Sequence, residues 1–545
     1  MLQIDPWNLR TFSPELRRRY LKEGLWTDDP LGHSLLEWLG RNPELPYCFW
    51  SAKWSQQSTF GQVREQSLRL MTGLTRRGIG KGDVVCMYVP NSIEGALGFN
   101  AVTSLGAILV PVAPFYGTKE LRFILGRSRA RILITAEAPT GGRLETIAHM
   151  RRELPDLEDV YVITEEAASV PSGMRNYREL VDHPPVAALP KVDPDSVCAI
   201  AFTSGTTADP KGVVHTHRSL VTENRLHMDA MPRQKRGVLV GGPISHITGM
   251  LIGVFLQPYR GKPVHIMDGW DVPTVLRVMR EHDLCTGQGA TVFMNSIFNH
   301  PDAGPEDIAR LEDVAMGGST IPIPFVELCE SKGIKVARCY GSTEHPSITG
   351  GMLTDPLLKR QRTDGRALPG VEIRVVDEDG KDLPRGAAGE LISRGPDLFA
   401  GYIDPAMNRD QFSGDGWFHT GDIGVIDEEG FFTVTDRKKD IIVRNGVKVS
   451  ALEVENCLLQ MPGLIEAAVV AGPSERTGEY GHAYVRVKPG ATAPSLEEVR
   501  KHFERVDLAR QKWPEVIEVI DEFPRTPSGK VRKIDLRNQL RAKRS

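Results

Sequence analysis

The segment from Phe202 to Gly212 reads Phe-Thr-Ser-Gly-Thr-Thr-Ala-Asp-Pro-Lys-Gly and directly follows the apolar run Val197 to Ala201. Hydroxyls at Thr203, Ser204, Thr206 and Thr207, with backbone amides freed by Gly205 and Gly212, can donate to phosphate oxygens while Lys211 supplies positive charge. The chemistry predicted is therefore a phosphate cradle at the end of a strand. It is not a Walker A loop, whose glycine-lysine spacing is absent. Taken alone, the same residues would also make a flexible surface turn.

Four further segments carry groups suited to such a cradle: Cys339-Tyr-Gly-Ser-Thr-Glu344, Gly416-Trp-Phe-His-Thr-Gly-Asp422, Asp436-Arg-Lys-Lys-Asp440 and Pro524-Arg-Thr-Pro-Ser-Gly-Lys530. With the loop, and in this order, they resemble the signature motifs of the adenylate-forming superfamily: acyl-CoA synthetases, adenylation domains and luciferases. The match is most like an acyl-CoA synthetase. It runs from about residue 200 to 530, and five ordered motifs leave little room for chance. The first 190 residues carry no comparable signature.

The resemblance implies ATP-dependent activation of a carboxylic acid to acyl-AMP with release of pyrophosphate, followed by transfer to CoA. One anion must attack another, so catalysis is mostly positioning and charge neutralisation. By resemblance, Glu344 would hold Mg²⁺ on the phosphates, which suits a hard cation with oxygen ligands. Tyr340 offers adenine a flat face, with Gly317, Gly318 and Ser319 on its other side and Gly341, Ser342 and Thr343 along the nucleotide. Asp422 can accept both ribose hydroxyls, Arg437 approaches the nucleotide, and Lys439 occupies the hinge position. Lys530, in a loop stiffened by proline and glycine, would bridge the carboxylate and the α-phosphate. Alone, each residue has a plainer role: Glu344 a cap, Tyr340 core, Asp422 a turn, the 436–440 cluster a solvated linker, Lys530 part of a basic tail.

In the resembled family the C-terminal domain rotates between the two half-reactions, one face delivering Lys530 and another shaping a pantetheine channel. Gly446 matches a glycine lining that channel, although Asn445-Gly446 is also an ordinary hairpin turn. Pro243-Ile-Ser-His-Ile-Thr-Gly249 resembles the segment that places a histidine, here His246, near the acyl site. It holds neither an acidic partner for an α-amino group nor the asparagine common in aryl-acid ligases. A fatty, alicyclic or otherwise apolar acid is thus predicted, walled by Ile247, Met250, Gly318 and His345. Two departures stand out: Ala208 where the family's loop usually has glycine, and Asn445 in place of the first glycine of a common pair. Either would fit specialisation for one half-reaction.

The elements that must position these groups are legible as alternating apolar and amphipathic segments. Val84 to Val89 reads as a strand, Ser92 to Ser104 as a helix and Ala107 to Val112 as a second strand. Lys119 to Leu125 (helix), Arg131 to Thr135 and Val160 to Ile163 (strands) continue the pattern. Such alternation predicts an α/β fold, a large N-terminal domain of parallel sheets covered by helices. Ligands in such sheets sit at the carboxyl ends of strands. From Gly370 the texture shifts to alternating runs punctuated by Asp-Gly and Glu-Gly turns, a β-rich subdomain ending near residue 435. A helix from about Ala451 to Leu459 and a strand near Ala467 to Ala471 complete a small, mobile α+β C-terminal domain. The division predicted is 1–436, hinge 437–439, and 440–545.

Composition narrows the rivals. At 545 residues, 40% hydrophobic and 25% charged, the chain has globular usage and room for a large core. A net charge of −3 gives no global reason to bind nucleic acid or anionic lipid, so an anionic ligand must be held locally. Seven widely spaced cysteines without metal-ligand spacing fit a reducing cytoplasm and no structural zinc. The N-terminus does not read as a signal peptide, and Ala96 to Phe115 is too interrupted for a membrane span. The expected partners are ATP, Mg²⁺, CoA and a small carboxylic acid, with a possible homodimer. Rivals are an adenylating enzyme that loads a carrier-protein phosphopantetheine, and a nucleotide-binding regulatory protein without turnover.

Overall fold

Ser92 accepts a hydrogen bond from Gly95 N at 3.2 Å and starts the helix Ile93–Ser104 where the sequence places it. That helix is buried around nearly its whole circumference, as its lack of a polar stripe requires. It packs against Val84–Tyr88 and Ile108–Val112 of one sheet and Pro46–Trp50 of another. The computed structural model describes the chain except for residues 1–6, 8, 137–142, 165–169, 204–209, 288, 290, 320, 475, 489, 526–529 and 544–545.

The larger sheet has eight strands. In spatial order they are Gly401–Tyr402, Lys211–Thr216, Val197–Thr203, Ile108–Val112, Val84–Tyr88, Ile132–Ala136, Asp159–Ile163 and Arg175–Asn176. From Val197–Thr203 onward neighbours run parallel; the two strands at the other end are antiparallel. The second sheet runs Leu284–Cys285, Gly237–Val240, Val264–Met267, Pro46–Trp50 and Ser55–Thr59, parallel except for its last pair. The parallel core and its helices confirm the α/β expectation. Between the two sheets, Leu70, Met71, Phe99, Val102, Phe255 and Ile266 belong to one continuous buried cluster.

A four-stranded sheet built on Val314–Met316 and Val336–Tyr340 carries the segment containing Glu344. The β-rich region follows as an antiparallel sheet of Glu372–Val376, Gly389–Arg394, Trp417–Ile426 and Phe412–Ser413, with Phe432–Arg437 paired to Trp417–Ile426. Arg437 thus ends a strand in register with Asp422, and the next strand, Ile442–Arg444, belongs to the last sheet. That sheet contains Val447–Val449, Ile442–Arg444, Gly478–Val487, Leu464–Ser474 and Val516–Val519, covered by Ala451–Leu458, Leu496–Arg505 and Lys533–Ala542. Asn445 (φ +50°) and Gly446 (φ +79°) form the two-residue hairpin between Arg444 and Val447, a turn that needs positive φ at both central positions.

The amino-terminal arm is tied to a distant segment. Arg10 donates through Nε to Phe399 O at 2.8 Å, through a guanidinium nitrogen to Leu398 O at 3.0 Å, and through its backbone to Ala400 O at 3.0 Å. Trp26 Nε1 donates to Pro396 O at 2.8 Å. Among the described residues, no helix is long and apolar enough to cross a membrane.

Candidate active site

Strand Val336–Tyr340 ends in a turn that only glycine can make. A side chain on Gly341 would place Cβ 1.9 Å from Pro346 O. The backbone folds back on itself: Ser342 N donates to His345 O at 2.9 Å and Ile348 N to Tyr340 O at 2.9 Å. Outside groups then hold the turn. His215 Nε2 donates to Thr343 O at 2.8 Å, and Phe399 N donates to Glu344 O at 2.8 Å. Burial pushes His215 down to about 4, so it is a neutral donor at pH 7.

Glu344 is half-buried, and its Oε1 accepts a hydrogen bond from the Tyr402 hydroxyl at 2.7 Å. Burial and the neighbouring Glu344 carboxylate raise the Tyr402 hydroxyl far above the usual tyrosine value, so it remains a donor. Lys211 Nζ lies 5.4 Å from the Tyr402 ring centroid. Thr203 is paired with Lys211 across the two strands that flank the predicted phosphate loop. Ser204, Gly205, Thr206, Thr207 and Ala208 of that loop lie outside the described residues.

Behind Glu344 is a fully buried polar cluster. His345 meets Ser393 Oγ at 2.8 Å and Asp397 Oδ1 at 3.2 Å; Ser347 donates to Glu223 Oε1 at 2.6 Å. His227 Nδ1 lies 3.0 Å from Glu223 Oε2 and 3.6 Å from Asp397 Oδ2. Burial alone would strip His227 of its charge, but Asp397 and Glu223 outweigh it and hold the imidazole well above its ordinary value. Glu223, His227 and Asp397 offer ligand-type atoms within 4.8 Å of one another, but the imidazolium already supplies the cation the carboxylates need. His345 therefore does not wall an acyl pocket, as the sequence predicts. It follows Glu344 into the interior and braces the turn.

Asp422, only 3% exposed, is bracketed by Tyr340 and Arg437. The Tyr340 hydroxyl donates to Oδ2 at 2.5 Å and Arg437 Nε to Oδ1 at 2.9 Å. Ribose hydroxyls would share these oxygens, each of which has a second lone pair. One side of the Tyr340 ring meets Phe432, with centroids 5.4 Å apart.

A cleft opens against Tyr340 and the Gly341 turn. Gly317, Gly318, Cys339, Tyr340, Gly341, Ser342 and Thr343 line one portion; Met228, Met231, Ile247, Leu251, Ile252 and Leu256 make an apolar portion; His246 and Lys530 also line it. Ser319 follows Gly318 without reaching the wall. Met250 is 1% exposed within the main core cluster and is not on the wall either, correcting its predicted place. It starts a π-helical stretch, Met250–Leu256, whose wide turn aims Leu251, Ile252 and Leu256 at the cleft instead. A second π-helical stretch, Glu223–Met228, supplies Met228. Sequence reasoning missed these apolar residues, and Tyr402 and His215 as well. The unbroken run Met250 to Leu256 was the available signal for the first group.

His246 caps the short turn Ile247–Gly249, its Nδ1 accepting from Thr248 N at 3.4 Å. Burial, then the nearby Lys530 ammonium, lowers it to about 4. Lys530 keeps an exposed surface, yet desolvation and then Arg437 push its ammonium down to about 8, against the pull of Asp422 and Glu344. The loop presenting it is closed by a bridge between Arg525 and Val531 and by Arg532 N donating to Pro524 O at 2.7 Å. Lys439 is likewise lowered to about 8 by burial and then by Arg437, with Lys211 also repelling it. Lys211, Arg437, Lys439 and Lys530 thus converge on a region whose nearby acids are Glu344, Asp422 and Asp440, a surplus of cations over what local neutrality needs. Gly446 stands exposed and outside the cleft.

The AMP-binding enzyme family matches residues 35–403, and the AMP-binding enzyme C-terminal domain matches residues 453–530. The chain belongs to the AMP-binding enzyme family. It is 34% identical over 537 residues to a medium-chain fatty-acid–CoA ligase of Escherichia coli (strain K12), covering 97% of this chain and 94% of that one. It is 30% identical over 488 residues to a long-chain-fatty-acid–CoA ligase of Mycobacterium tuberculosis, covering 89% and 93%. The crystal structure of ATP-bound MatB from Rhodopseudomonas palustris superposes with a TM-score of 0.81 at 25% identity, covering 93% and 98%. The sequence-based assignment to adenylate-forming enzymes holds, and with it the class: ATP-dependent, AMP-forming acid–thiol ligases, which use ATP, Mg²⁺ and CoA.

Proposed function

We infer that the protein activates an apolar carboxylic acid to its acyl adenylate and passes the acyl group to CoA. The observation that carries this reading is the single cleft in which an apolar recess, a turn-lined nucleotide portion and the Lys530 ammonium share one wall. In this reading the acid's tail lies against Met228, Met231, Leu251, Ile252 and Leu256, and desolvation of that surface favours apolar acids. Adenine lies along Tyr340, Gly317 and Gly318, and the ribose meets Asp422.

The phosphates face Lys211, Arg437 and Lys439, with the loop from Thr203 through Thr207. Glu344 offers a hard oxygen donor on this side, fitting Mg²⁺, which would neutralise phosphate charge when bound. Lys530 meets the carboxylate and the α-phosphate together, lowering their mutual repulsion as the bond forms and pyrophosphate leaves. Neutral His246 lines the same junction and contributes no second charge there.

The pivot is placed at 437–439, between units 1–436 and 440–545. Two features support it: Arg437 is held in the Trp417–Ile426 sheet, whereas Asp440 pairs with Arg537 of the last helix. Rotation there would withdraw Lys530 and bring the Gly446 hairpin toward the cleft for the thiol step. A cytoplasmic location accords with the thiol content.

The test is acid-dependent pyrophosphate release across straight-chain, alicyclic, aryl and amino acids, with mass identification of the product when CoA and a phosphopantetheinylated carrier are offered side by side. Release with apolar acids and an acyl-CoA product is expected. Absence of release with every acid would sink the enzyme reading, and exclusive loading of the carrier would replace the acceptor. Lys530→Ala should abolish acyl-AMP formation while largely sparing thioester formation from supplied acyl-AMP.

A further inference from the structure

Tyr402 stands apart from the five motifs, yet it meets two charged groups, Glu344 and Lys211, from one buried position. Its backbone is in register with the strand leaving the phosphate loop, Tyr402 opposite Val213. Asn408 clamps that backbone from both sides, accepting from Tyr402 N at 2.7 Å and donating to Tyr402 O at 2.9 Å. The ring is 2% exposed and meets the Phe399 ring edge-on at 5.0 Å, while Phe399 N holds the Glu344 carbonyl. From this fixed frame the hydroxyl donates to Glu344 Oε1 at 2.7 Å, and the Lys211 ammonium sits 5.4 Å from the ring centroid.

We propose that Tyr402 is a positioning residue that presets the Glu344 carboxylate for the divalent cation and the Lys211 ammonium for the phosphates. This rests on the reading above, in which Glu344 meets the metal and Lys211 the triphosphate. A donor on Oε1 fixes the carboxylate plane and leaves Oε2 as the ligand atom, because a metal-binding carboxylate is oriented by its own hydrogen-bond partners. A half-exposed glutamate without that donor would sample several rotamers and order only when the cation arrived. The ring face acts similarly on Lys211, limiting a long, flexible ammonium to the side facing Tyr402. Two charges of opposite sign are thus spaced by one aromatic side chain rather than collapsing into an ion pair with each other.

The experiment uses the full-length protein with Mn²⁺ as the metal probe, read by electron paramagnetic resonance in the presence of ATP. Tyr402→Phe keeps the ring and its packing and removes only the hydroxyl, so it is expected to fold with an unchanged melting temperature. Mn²⁺ affinity of the ATP complex should fall about tenfold, and metal-free ATP binding should hold within about twofold. In a Glu344→Ala background the same substitution should add nothing, since the interaction it removes is already gone. Tyr402→Leu removes ring and hydroxyl together and should weaken metal-free ATP binding as well, reporting the Lys211 contact.

Unchanged Mn²⁺ affinity in Tyr402→Phe, or a lowered melting temperature with unchanged affinity, would overturn the proposal and make the hydroxyl purely structural. The failure of the underlying reading looks different. If Glu344→Ala itself leaves Mn²⁺ affinity intact, Glu344 does not hold the metal; if it weakens affinity and Tyr402→Phe does not, only the role of Tyr402 falls.

Discussion

In the proposed reading Lys530 must be protonated to draw two anions together, but the structure lowers its ammonium from 10.5 to about 8. Burial is the main cause and Arg437 the second. The consequence is a basic limb in the rate of adenylation that an unshifted lysine would not show. With a pKa of about 8, roughly 90% of the free enzyme is active at pH 7 and roughly 10% at pH 9. An unshifted lysine would remain about 97% charged at pH 9. The second-order rate constant for ATP, kcat/KM in pyrophosphate release, should therefore drop about tenfold over that interval. Bound ATP brings negative charge beside the ammonium and favours it, so the break in kcat should lie well above the break in kcat/KM.

Lys530→Arg separates this from the titration of Lys439, which is also lowered to about 8. The guanidinium stays charged, so its residual rate, reduced by the different geometry, should be flat to pH 9. The sign for stability runs the other way from catalysis. The folded pKa lies below the unfolded value, so between pH 8 and 10.5 the unfolded chain binds more protons and this group's unfavourable contribution is relieved. Lys530→Met should accordingly not lower the melting temperature at pH 7. A flat wild-type profile to pH 9, or a break that survives in Lys530→Arg, would refute the assignment.

Three other perturbations follow from the packing. His215 and His265 are lowered to about 4 and His217 to about 3, mainly by burial, so the unfolded chain takes up protons first as pH falls below 6.5. Stability should decline by about 1.4 kcal/mol per pH unit for each between roughly pH 6 and 4, seen as falling urea midpoints. Leu256→Trp fills the apolar recess, and each methylene it displaces from burial is worth about 0.8 kcal/mol, so kcat/KM should fall about fourfold per excluded carbon and hit the longest acids first. Gly341→Ala drives Cβ against the Pro346 carbonyl and should cost about 1–3 kcal/mol in denaturation and most of the adenylation rate.

The alternating strands and helices of the parallel core were legible, though not their spatial order, because a helix enclosed by two sheets, such as Ile93–Ser104, must be apolar all round and must be punctuated at its ends. The motif residues were legible because Tyr340, Asp422, Arg437 and Lys530 lie in turns and strand ends with distinctive glycine and proline spacing. What escaped was contact between distant elements. Tyr402 and Glu344 are 58 positions apart, and nothing in either local pattern announces the bond. His345 was misplaced by adjacency: the residue after Glu344 points inward to Ser393 and Asp397 once the Gly341 turn is made. The acyl recess was misassigned at Met250 because a π-helical turn changes which residues of an apolar run share a face.

Arg10 grips the Leu398 and Phe399 carbonyls, and Phe399 N holds the Glu344 carbonyl, while Lys530 lines the cleft beside Tyr340. The support of the Tyr402 segment and the Lys530 ammonium are therefore contributed by residues 520 positions apart. A chain emerging from the ribosome can bury its parallel core early, but the cleft gains its Lys530 wall only after that residue has been added. The geometry withholds reactive adenylate chemistry from unfinished molecules.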